Sequence, residues 1–201
     1  MKKKEEHKKL YNVYKFILGV FFRLYYNPKI INKEVIPKEG PIIVCGNHIH
    51  LYDQNLPIMA TKRMLHYMAK KEYFDDKKVA WFFKSCGCIS VNRAIHDKDA
   101  KDHALNILKD GYALGIFPEG TRNKTTDKVL LDFKMGAVSM AQKTGATLVP
   151  FAITGDYKFR SKNLKCTFLE PFKVNPDDDL EKVNNKLHKM IEDEIIKNKK
   201  H

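Results

Sequence analysis

An apolar run leads directly into a polar motif in residues 41–53, which read PIIVCGNHIHLYD. The run Pro41–Cys45 is short and β-branched and follows Lys38-Glu39-Gly40, so it predicts a buried strand that is entered from a turn. His48 then stands at the carboxyl end of that strand. Ligands bind at this edge of open α/β sheets, because loops converge there on a rigid support. The stretch therefore predicts an α/β sheet with a functional site near His48.

His48 and Asp53 have the residue types and the spacing of a general base and its orienting carboxylate. If the chain turns into a helix near Asp53, the carboxylate reaches back to Nδ1 of the imidazole and leaves Nε2 to take a proton. The nucleophile in this scheme is a hydroxyl of the substrate rather than a Ser or Cys of the protein. Two alternatives stay open at this point. One is a structural His48 with Asp53 as a helix N-cap, and the other is a zinc hydrolase that uses His48, His50 and Asp53.

Length and composition favour one domain with one substantial core. The chain has 201 residues, 43% of them hydrophobic, and no Pro/Gly/Ser-rich linker divides it. Its formal net charge of +13 predicts attraction to polyanions, whether nucleic acid, anionic lipid or a phosphorylated substrate. Much of this charge lies in residues 1–9 and 197–200, which are typical of solvated tails. The four cysteines lie in or beside apolar runs, so we expect reduced, buried thiols. Cys86-Gly87-Cys88 lacks the second Cys or His pair that a structural zinc site needs, so we expect no metal site.

Residues 10–26 are the most apolar stretch of the chain and are rich in aromatic side chains. The polar positions in and just before it form one narrow stripe of a helix, made of Lys8, Asn12, Lys15, Gly19 and Arg23. The stretch is shorter than the roughly twenty apolar residues that span a bilayer. We expect it to lie in a membrane interface and to place five side chains among acyl chains, namely Phe16, Ile17, Phe21, Phe22 and Tyr25. A core helix packed on the sheet is the alternative. We expect the chain to divide into residues 1–28, for membrane association, and residues 29–201, the main domain.

Two further strand exits carry cations that could bind an anion. The segment Gly87–Arg93 predicts a strand that delivers Arg93 at its exit. The segment Tyr112–Phe117 predicts a buried strand that ends in Pro118-Glu119-Gly120-Thr121-Arg122, which combines a glycine that allows close approach with a guanidinium. An ordinary turn with a surface Glu–Arg pair is the alternative. A helix opened by Phe133-Lys134-Met135-Gly136 would add backbone N–H groups and the ammonium of Lys134 to the same anion site.

The remaining elements follow from periodicity and turn residues. We expect strands at Lys29–Ile36 and Met64–Ala69, one or two strands in Asn163–Val174, and helices at Asp97–Asp110 and Leu180–Ile195. The strand Thr147–Ile153 contains Pro150, which predicts an edge strand or a bulge near the site. The apolar patch Val79–Phe83 predicts a core helix, with a lip for an apolar substrate as the alternative.

These motifs, in this order, resemble the blocks of the glycerolipid acyltransferases with an H-x4-D motif, the family of the 1-acylglycerol-3-phosphate acyltransferases. The resemblance covers residues 35–155. Four matches carry it: Asn47–Asp53 for the H-x4-D block, Gly87–Arg93 for the second, Phe117–Arg122 for the third and Val149-Pro150 for the fourth. In the second block Asn92 stands where Asp is common. The third block is followed, as in the family, by Phe133-Lys134-x-Gly136. One such motif is weak evidence, but four in order are specific.

The resemblance implies a single α/β domain with a mixed central sheet flanked by helices and an amphipathic amino-terminal helix. It also implies transfer of a fatty acyl group from acyl-carrier protein or acyl-CoA to the sn-2 hydroxyl of 1-acyl-sn-glycerol 3-phosphate. That reaction forms phosphatidate in phospholipid biosynthesis. By position, His48 would be the general base and Asp53 its orienting residue. The substrate phosphate would be bound by Arg93, Glu119, Gly120, Thr121 and Arg122, with Lys134 as a further candidate.

The resemblance further implies which partners the protein has and where it acts. The expected partners are a lysophospholipid acceptor, the acyl donor and a membrane surface, without nucleic acid and without a cofactor or metal ion. The expected location is the cytoplasmic face of the cell membrane, as a peripheral or monotopic protein. Asn92 and His50 leave an acyltransferase for another lysolipid acceptor as an alternative. A basic, non-enzymatic peripheral protein that binds membranes is the second alternative.

Overall fold

The computed structural model describes residues 8–92, 94–95, 97–125 and 127–199. The strands are β1 (Lys29–Ile31), β2 (Ile42–Gly46), β3 (Leu65–Lys70), β4 (Ile89–Val91), β5 (Ala113–Ile116), β6 (Thr147–Thr154) and β7 (Lys165–Phe168). The α-helices are α1 (Lys8–Tyr25), α2 (Asn55–Ala60), α3 (Glu72–Asp75), α4 (Lys77–Ser85), α5 (Lys98–Lys109), α6 (Gly136–Thr144) and α7 (Leu180–Lys199). The strands form a seven-stranded sheet in the order β1-β7-β6-β2-β5-β3-β4. Its pairs are parallel except for β6 with β7, so the predicted mixed sheet with flanking helices is confirmed.

Strand β2 lies at the centre of the sheet and is covered on both faces. All five of its residues are buried, and it pairs with β5 on one side and β6 on the other. Its side chains alternate between two apolar layers, as the period of a strand requires. Ile43 and Cys45 pack towards α5, α6 and α7, which we call the α7 face of the sheet. Ile42 and Val44 pack towards α1 and α2, which we call the α1 face.

Strand β6 corrects one of the two expectations for Pro150. The strand lies between β2 and β7, so the prediction of an edge strand is wrong. Phe151 pairs with Phe168 in the antiparallel ladder. Leu148, three residues before Phe151, bridges to Phe172, which lies four residues after Phe168. The pairing therefore shifts by one residue opposite Pro150. The carbonyl oxygen of Pro150 accepts from the N–H of Leu169 in this shifted segment. The side of Pro150 that lacks an N–H therefore faces the interruption in the ladder. The alternative of a bulge is therefore correct, because a proline fits where the ladder is interrupted.

Helix α1 confirms the predicted amino-terminal helix and packs by one side on α2 and the sheet. The Nζ of Lys15 donates to the carbonyl oxygen of Thr61, so part of the polar stripe faces the protein. The expectation for Phe22 is wrong, because its ring is buried in the core layer next to Tyr26. The opposite side is apolar and exposed, and it is formed by Val13, Phe16, Ile17, Leu18, Val20, Phe21, Leu24 and Tyr25. Within the described ranges, none of the helices is both long and apolar enough to cross a bilayer.

Two other expectations change in the structure. Helix α4 lies at the surface rather than in the core, since Trp81 is 61% exposed and contacts the ring of Tyr14 on α1 edge-on. The strand expected at Lys29–Ile36 ends after three residues, because Asn32 adopts a left-handed conformation and a 3₁₀ turn follows at Lys33–Val35. All four cysteines are unpaired; Cys45 and Cys166 are buried as expected, whereas Cys86 and Cys88 are only half-buried.

Candidate active site

The carboxyl ends of β2, β5 and β6 meet at one edge of the sheet, since these strands are parallel. Asn47, the residue after β2, ties this edge together. Its buried amide donates to the carbonyl oxygen of Ile153 on β6 at 2.8 Å and accepts from the N–H of the same residue at 2.6 Å. The next residue, His48, is thereby fixed at the exit of the central strand.

His48 and Asp53 form the pair that their spacing predicts. Nδ1 of His48 lies 2.7 Å from Oδ2 of Asp53, and the carboxylate is fully buried. The same oxygen accepts from the backbone N–H groups of Ile49 at 2.6 Å and His50 at 2.7 Å. The N-cap alternative is wrong, because Asp53 bonds to N–H groups that precede it in the chain and α2 begins only at Asn55.

The imidazole of His48 is oriented by an aromatic ring as well as by the carboxylate. It stacks on Phe117 with ring centroids 4.2 Å apart and an angle of 13° between the planes. Within the described residues, Nε2 has no hydrogen-bond partner. His48 lines a cleft of about 250 Å³, which also has an apolar wall formed by Met68, Val91, Ile95 and Ile116. Nε2 is therefore available to take a proton from a group bound in this cleft.

The structure places Glu119 differently from the implied phosphate-binding role. Its carboxylate is buried, and Oε1 accepts from the backbone N–H of His48 at 2.6 Å. Oε2 accepts from the N–H of Leu131 at 2.9 Å. Burial raises the pKa of Glu119, and the two N–H donors partly oppose that shift. A buried carboxylate with both oxygens engaged would repel a phosphate, so its contacts are those of a residue that positions His48.

The other expected phosphate ligands divide between the cleft and its rim. Gly120 and Lys134 line the cleft, and the backbone N–H of Lys134 donates to the carbonyl of Pro118 at 2.9 Å. Thr121 and Arg122 are exposed in the same loop. Arg93 lies outside the described residues, so its expected role stays a prediction.

His50 lies beside the pair and is stacked on a tyrosine. Its ring and that of Tyr157 are 4.1 Å apart and 16° from parallel. Burial lowers the pKa of His50; the charge of Asp53 opposes this shift and that of Arg122 adds to it. Within the described part of the chain, no three His, Cys, Asp or Glu side chains are grouped to hold a metal ion. The geometry therefore gives the zinc hydrolase alternative no ligand set.

Sequence reasoning missed Tyr157 and Asn123. The hydroxyl of Tyr157 donates to Oδ1 of Asp53 at 2.6 Å, and the N–H of Asn123 donates to the carbonyl of His48 at 2.7 Å. The one available signal for Tyr157 is its place just after β6, at the same edge of the sheet as His48.

An imidazole held by a buried carboxylate beside an apolar cleft is the arrangement that general-base catalysis on a bound substrate requires. A family model described as Acyltransferase matches residues 27–154. The chain belongs to this acyltransferase family, which confirms the resemblance of its motifs.

Named relatives and a solved structure agree with this assignment. The chain is 34% identical over 167 residues to the 1-acyl-sn-glycerol-3-phosphate acyltransferase of Bacillus subtilis, covering 79% of this chain and 82% of that one. It is 33% identical over 137 residues to the enzyme of the same name from Borreliella burgdorferi, covering 67% and 54%. The crystal structure of the 1-acyl-sn-glycerophosphate acyltransferase PlsC from Thermotoga maritima superposes with a TM-score of 0.79 at 25% identity, over 100% of this chain and 85% of that one.

Proposed function

We propose that the protein transfers a fatty acyl group from a thioester donor to the sn-2 hydroxyl of 1-acyl-sn-glycerol 3-phosphate, which gives phosphatidate. The observation that carries the proposal is the 2.7 Å contact between Nδ1 of His48 and Asp53, with Nε2 left open to the cleft. The names of the relatives support this acceptor. Acyl-CoA and acyl-carrier protein present the same thioester, so both fit as donor, and no other cofactor is required by this chemistry.

The reaction follows from the geometry of the pair. Nε2 of His48 takes the proton of the acceptor hydroxyl while its oxygen attacks the thioester carbonyl carbon. The buried charge of Asp53 stabilises the imidazolium that forms and keeps the proton of Nδ1 on the side of the carboxylate. The tetrahedral intermediate then expels the thiolate, the ester remains on the acceptor, and the imidazolium returns its proton to the thiolate. His48 therefore ends the cycle as the neutral base with which it began.

The two kinds of surface in the cleft fit the two parts of the substrates. The apolar wall suits an acyl chain, while Gly120 and Lys134 at its polar end, with Thr121 and Arg122 at the rim, suit a phosphate dianion. Arg93 is proposed for the same phosphate on the strength of the motif alone. Glu119 is assigned to the support of His48 instead.

We further propose that the protein works at a membrane surface, as a peripheral or monotopic protein on the cytoplasmic face of the cell membrane. Both the acceptor and the product are lipids. The exposed apolar side of α1 offers Phe16 and Leu24 to acyl chains, with 72% and 71% of these residues exposed. The net charge of +13 favours anionic headgroups.

The test is release of free thiol from an acyl thioester by purified protein with liposomes. Four conditions are compared: 1-acylglycerol 3-phosphate, glycerol 3-phosphate, lysophosphatidylglycerol and no acceptor. We expect release that depends on the first acceptor, is abolished in His48→Ala and persists in His103→Ala, an exposed histidine on α5. Release that needs another lysolipid would replace the acceptor but keep the mechanism. Acceptor-independent release, or full turnover in His48→Ala, would refute the proposal.

A further inference from the structure

The two oxygens of the Asp53 carboxylate have unequal sets of partners. Oδ2 accepts from Nδ1 of His48 and from the backbone N–H groups of Ile49 and His50. Oδ1 accepts from the hydroxyl of Tyr157 at 2.6 Å and has no second donor among the described residues. Because Asp53 is 0% exposed, Oδ1 depends on this hydroxyl for its hydrogen bond.

Tyr157 is held in place by two rings and by the turn that precedes it. Its ring stacks on His50 at 4.1 Å and lies edge-on to Tyr26 at 5.5 Å. The turn requires Gly155, because its φ is +88° and a Cβ there would collide with the carbonyl group of Asn163. Burial, followed by the charge of Asp53, raises the pKa of Tyr157, so the hydroxyl stays a donor at neutral pH.

We infer that Tyr157 is a positioning residue for the His48–Asp53 pair, whose hydroxyl holds Asp53 as an ionised carboxylate with Oδ2 turned towards the imidazole. This inference rests on the proposed function and adds a residue to its machinery. Without the hydroxyl, Oδ1 is buried with no donor, so Asp53 takes up a proton more readily. Where Asp53 stays ionised, its negative charge is no longer shared with the hydroxyl of Tyr157 and stabilises the protonated imidazole of His48 more strongly. Both effects move the acid limb of the pH–rate profile to higher pH.

Other titratable groups surround the pair, and none of them replaces Tyr157. They are His50 from the same loop, Glu119 and Arg122 from the loop after β5, Cys166 from β7, Tyr67 from β3 and Tyr26 from the end of α1. In the described part of the chain, none of these donates a hydrogen bond to Oδ1. Replacing Tyr157 by Phe leaves all of them in place, so a shift of the acid limb reports on the lost hydroxyl.

The experiment compares Tyr157→Phe with wild type in acceptor-dependent thiol release over a range of pH. We expect kcat to fall about tenfold, KM to change little and the acid limb of kcat/KM to move to higher pH. Tyr11→Phe is the matched control, because Tyr11 is also buried and its hydroxyl accepts from the N–H of Leu65 at 3.1 Å, on β3. This control is expected to lose stability but to keep the wild-type pH profile.

Two further measurements make the result independent of folding and of the reaction. A 3-fluorotyrosine at position 157 is a stronger donor and should move the acid limb to lower pH. NMR titration of the His48 ring without substrate should show a higher midpoint in Tyr157→Phe than in wild type. An unchanged midpoint, or a pH profile that shifts equally in Tyr11→Phe, would overturn the inference. If wild type releases no thiol, the proposed function fails, and the NMR comparison still decides the role of Tyr157.

Discussion

The backbone N–H of His48 donates to Oε1 of Glu119 at 2.6 Å. The loop after β5 therefore holds the main chain of His48, while Asp53 holds its imidazole. The other oxygen of the same carboxylate accepts from Leu131 at 2.9 Å. One buried side chain thus joins the exit of β2 to two positions of the segment between β5 and α6, Glu119 itself and Leu131. This arrangement fixes the imidazole from both its backbone and its ring.

Glu119→Gln is expected to destabilise the protein and lower kcat. The amide places an NH₂ group opposite one of the two backbone N–H donors, so one buried hydrogen bond is lost. We expect the free energy of unfolding in urea to fall by about 1–3 kcal/mol. Asp132→Asn is the control, because this exposed carboxylate pairs with Lys128 at the surface, and its effect should stay within about 0.5 kcal/mol. Wild-type stability combined with a raised KM for the lysolipid would instead assign Glu119 to the substrate.

Asp53→Asn is expected to lower kcat by about 10²–10⁴-fold with little change in KM. The amide oxygen can keep the two backbone donors of Oδ2, and its NH₂ can donate to the hydroxyl of Tyr157, so the fold is preserved. The negative charge that stabilises the imidazolium is lost. Steady-state thiol release measures the effect. Asp178→Asn, which alters a carboxylate bound to the N–H of Asn175 in a surface turn, is the control. A kcat within twofold of wild type in Asp53→Asn would refute base catalysis by the pair.

Much of the fold could be predicted because its signals are local. The β-branched run before His48 forms β2, and Asp97 caps α5 by accepting from the N–H of Ala100 at 3.0 Å, close to the predicted start of that helix. The contact between His48 and Asp53 is local too, since five positions separate the two residues. Each of these features depends on neighbours within a few residues, which a sequence displays directly.

The rest depends on contacts that a sequence does not display. Tyr157 lies 104 positions from Asp53, and Glu119 lies 71 positions from His48. The Glu-Gly-Thr-Arg segment has the residue types of an anion site, yet its carboxylate turns inward, because buried backbone N–H groups need an acceptor. Likewise, the side of α1 that faces the protein is decided by the packing of Phe22 on the sheet and cannot be read from helical periodicity alone.

Gly120→Ala and Gly40→Ala form a matched pair that separates backbone strain from an effect on the cleft. Both glycines have a positive φ, +70° and +76°, so alanine is expected to cost each about 1 kcal/mol or more of stability. A Cβ at Gly40 meets nothing within 4 Å, whereas one at Gly120 would lie 2.8 Å from Cε of Lys134. We therefore expect Gly120→Ala alone to displace this lysine and raise KM for the phosphate-bearing acceptor. Equal KM values in the two variants would remove Gly120 and Lys134 from the proposed phosphate site.

The membrane proposal is tested by the double variant Phe16→Asp/Leu24→Asp in co-sedimentation with vesicles of phosphatidylglycerol and phosphatidylethanolamine. Both side chains belong to the exposed side of α1, so the substitutions leave the core layers intact. Burying a large apolar side chain contributes about 1.5–3 kcal/mol, and loss of two such contacts should weaken vesicle binding more than tenfold.

Ile196→Asp is the control for the added charge, because Ile196 is 37% exposed on α7, which covers the other face of the sheet. This control should bind vesicles like wild type. Thiol release with a lysolipid acceptor below its critical micelle concentration should be unchanged in the double variant, since neither residue lines the cleft. Wild-type vesicle binding by the double variant would show that α1 is not the contact. Equal weakening of vesicle binding in Ile196→Asp would show that the added negative charge, rather than loss of an apolar contact through α1, causes the effect.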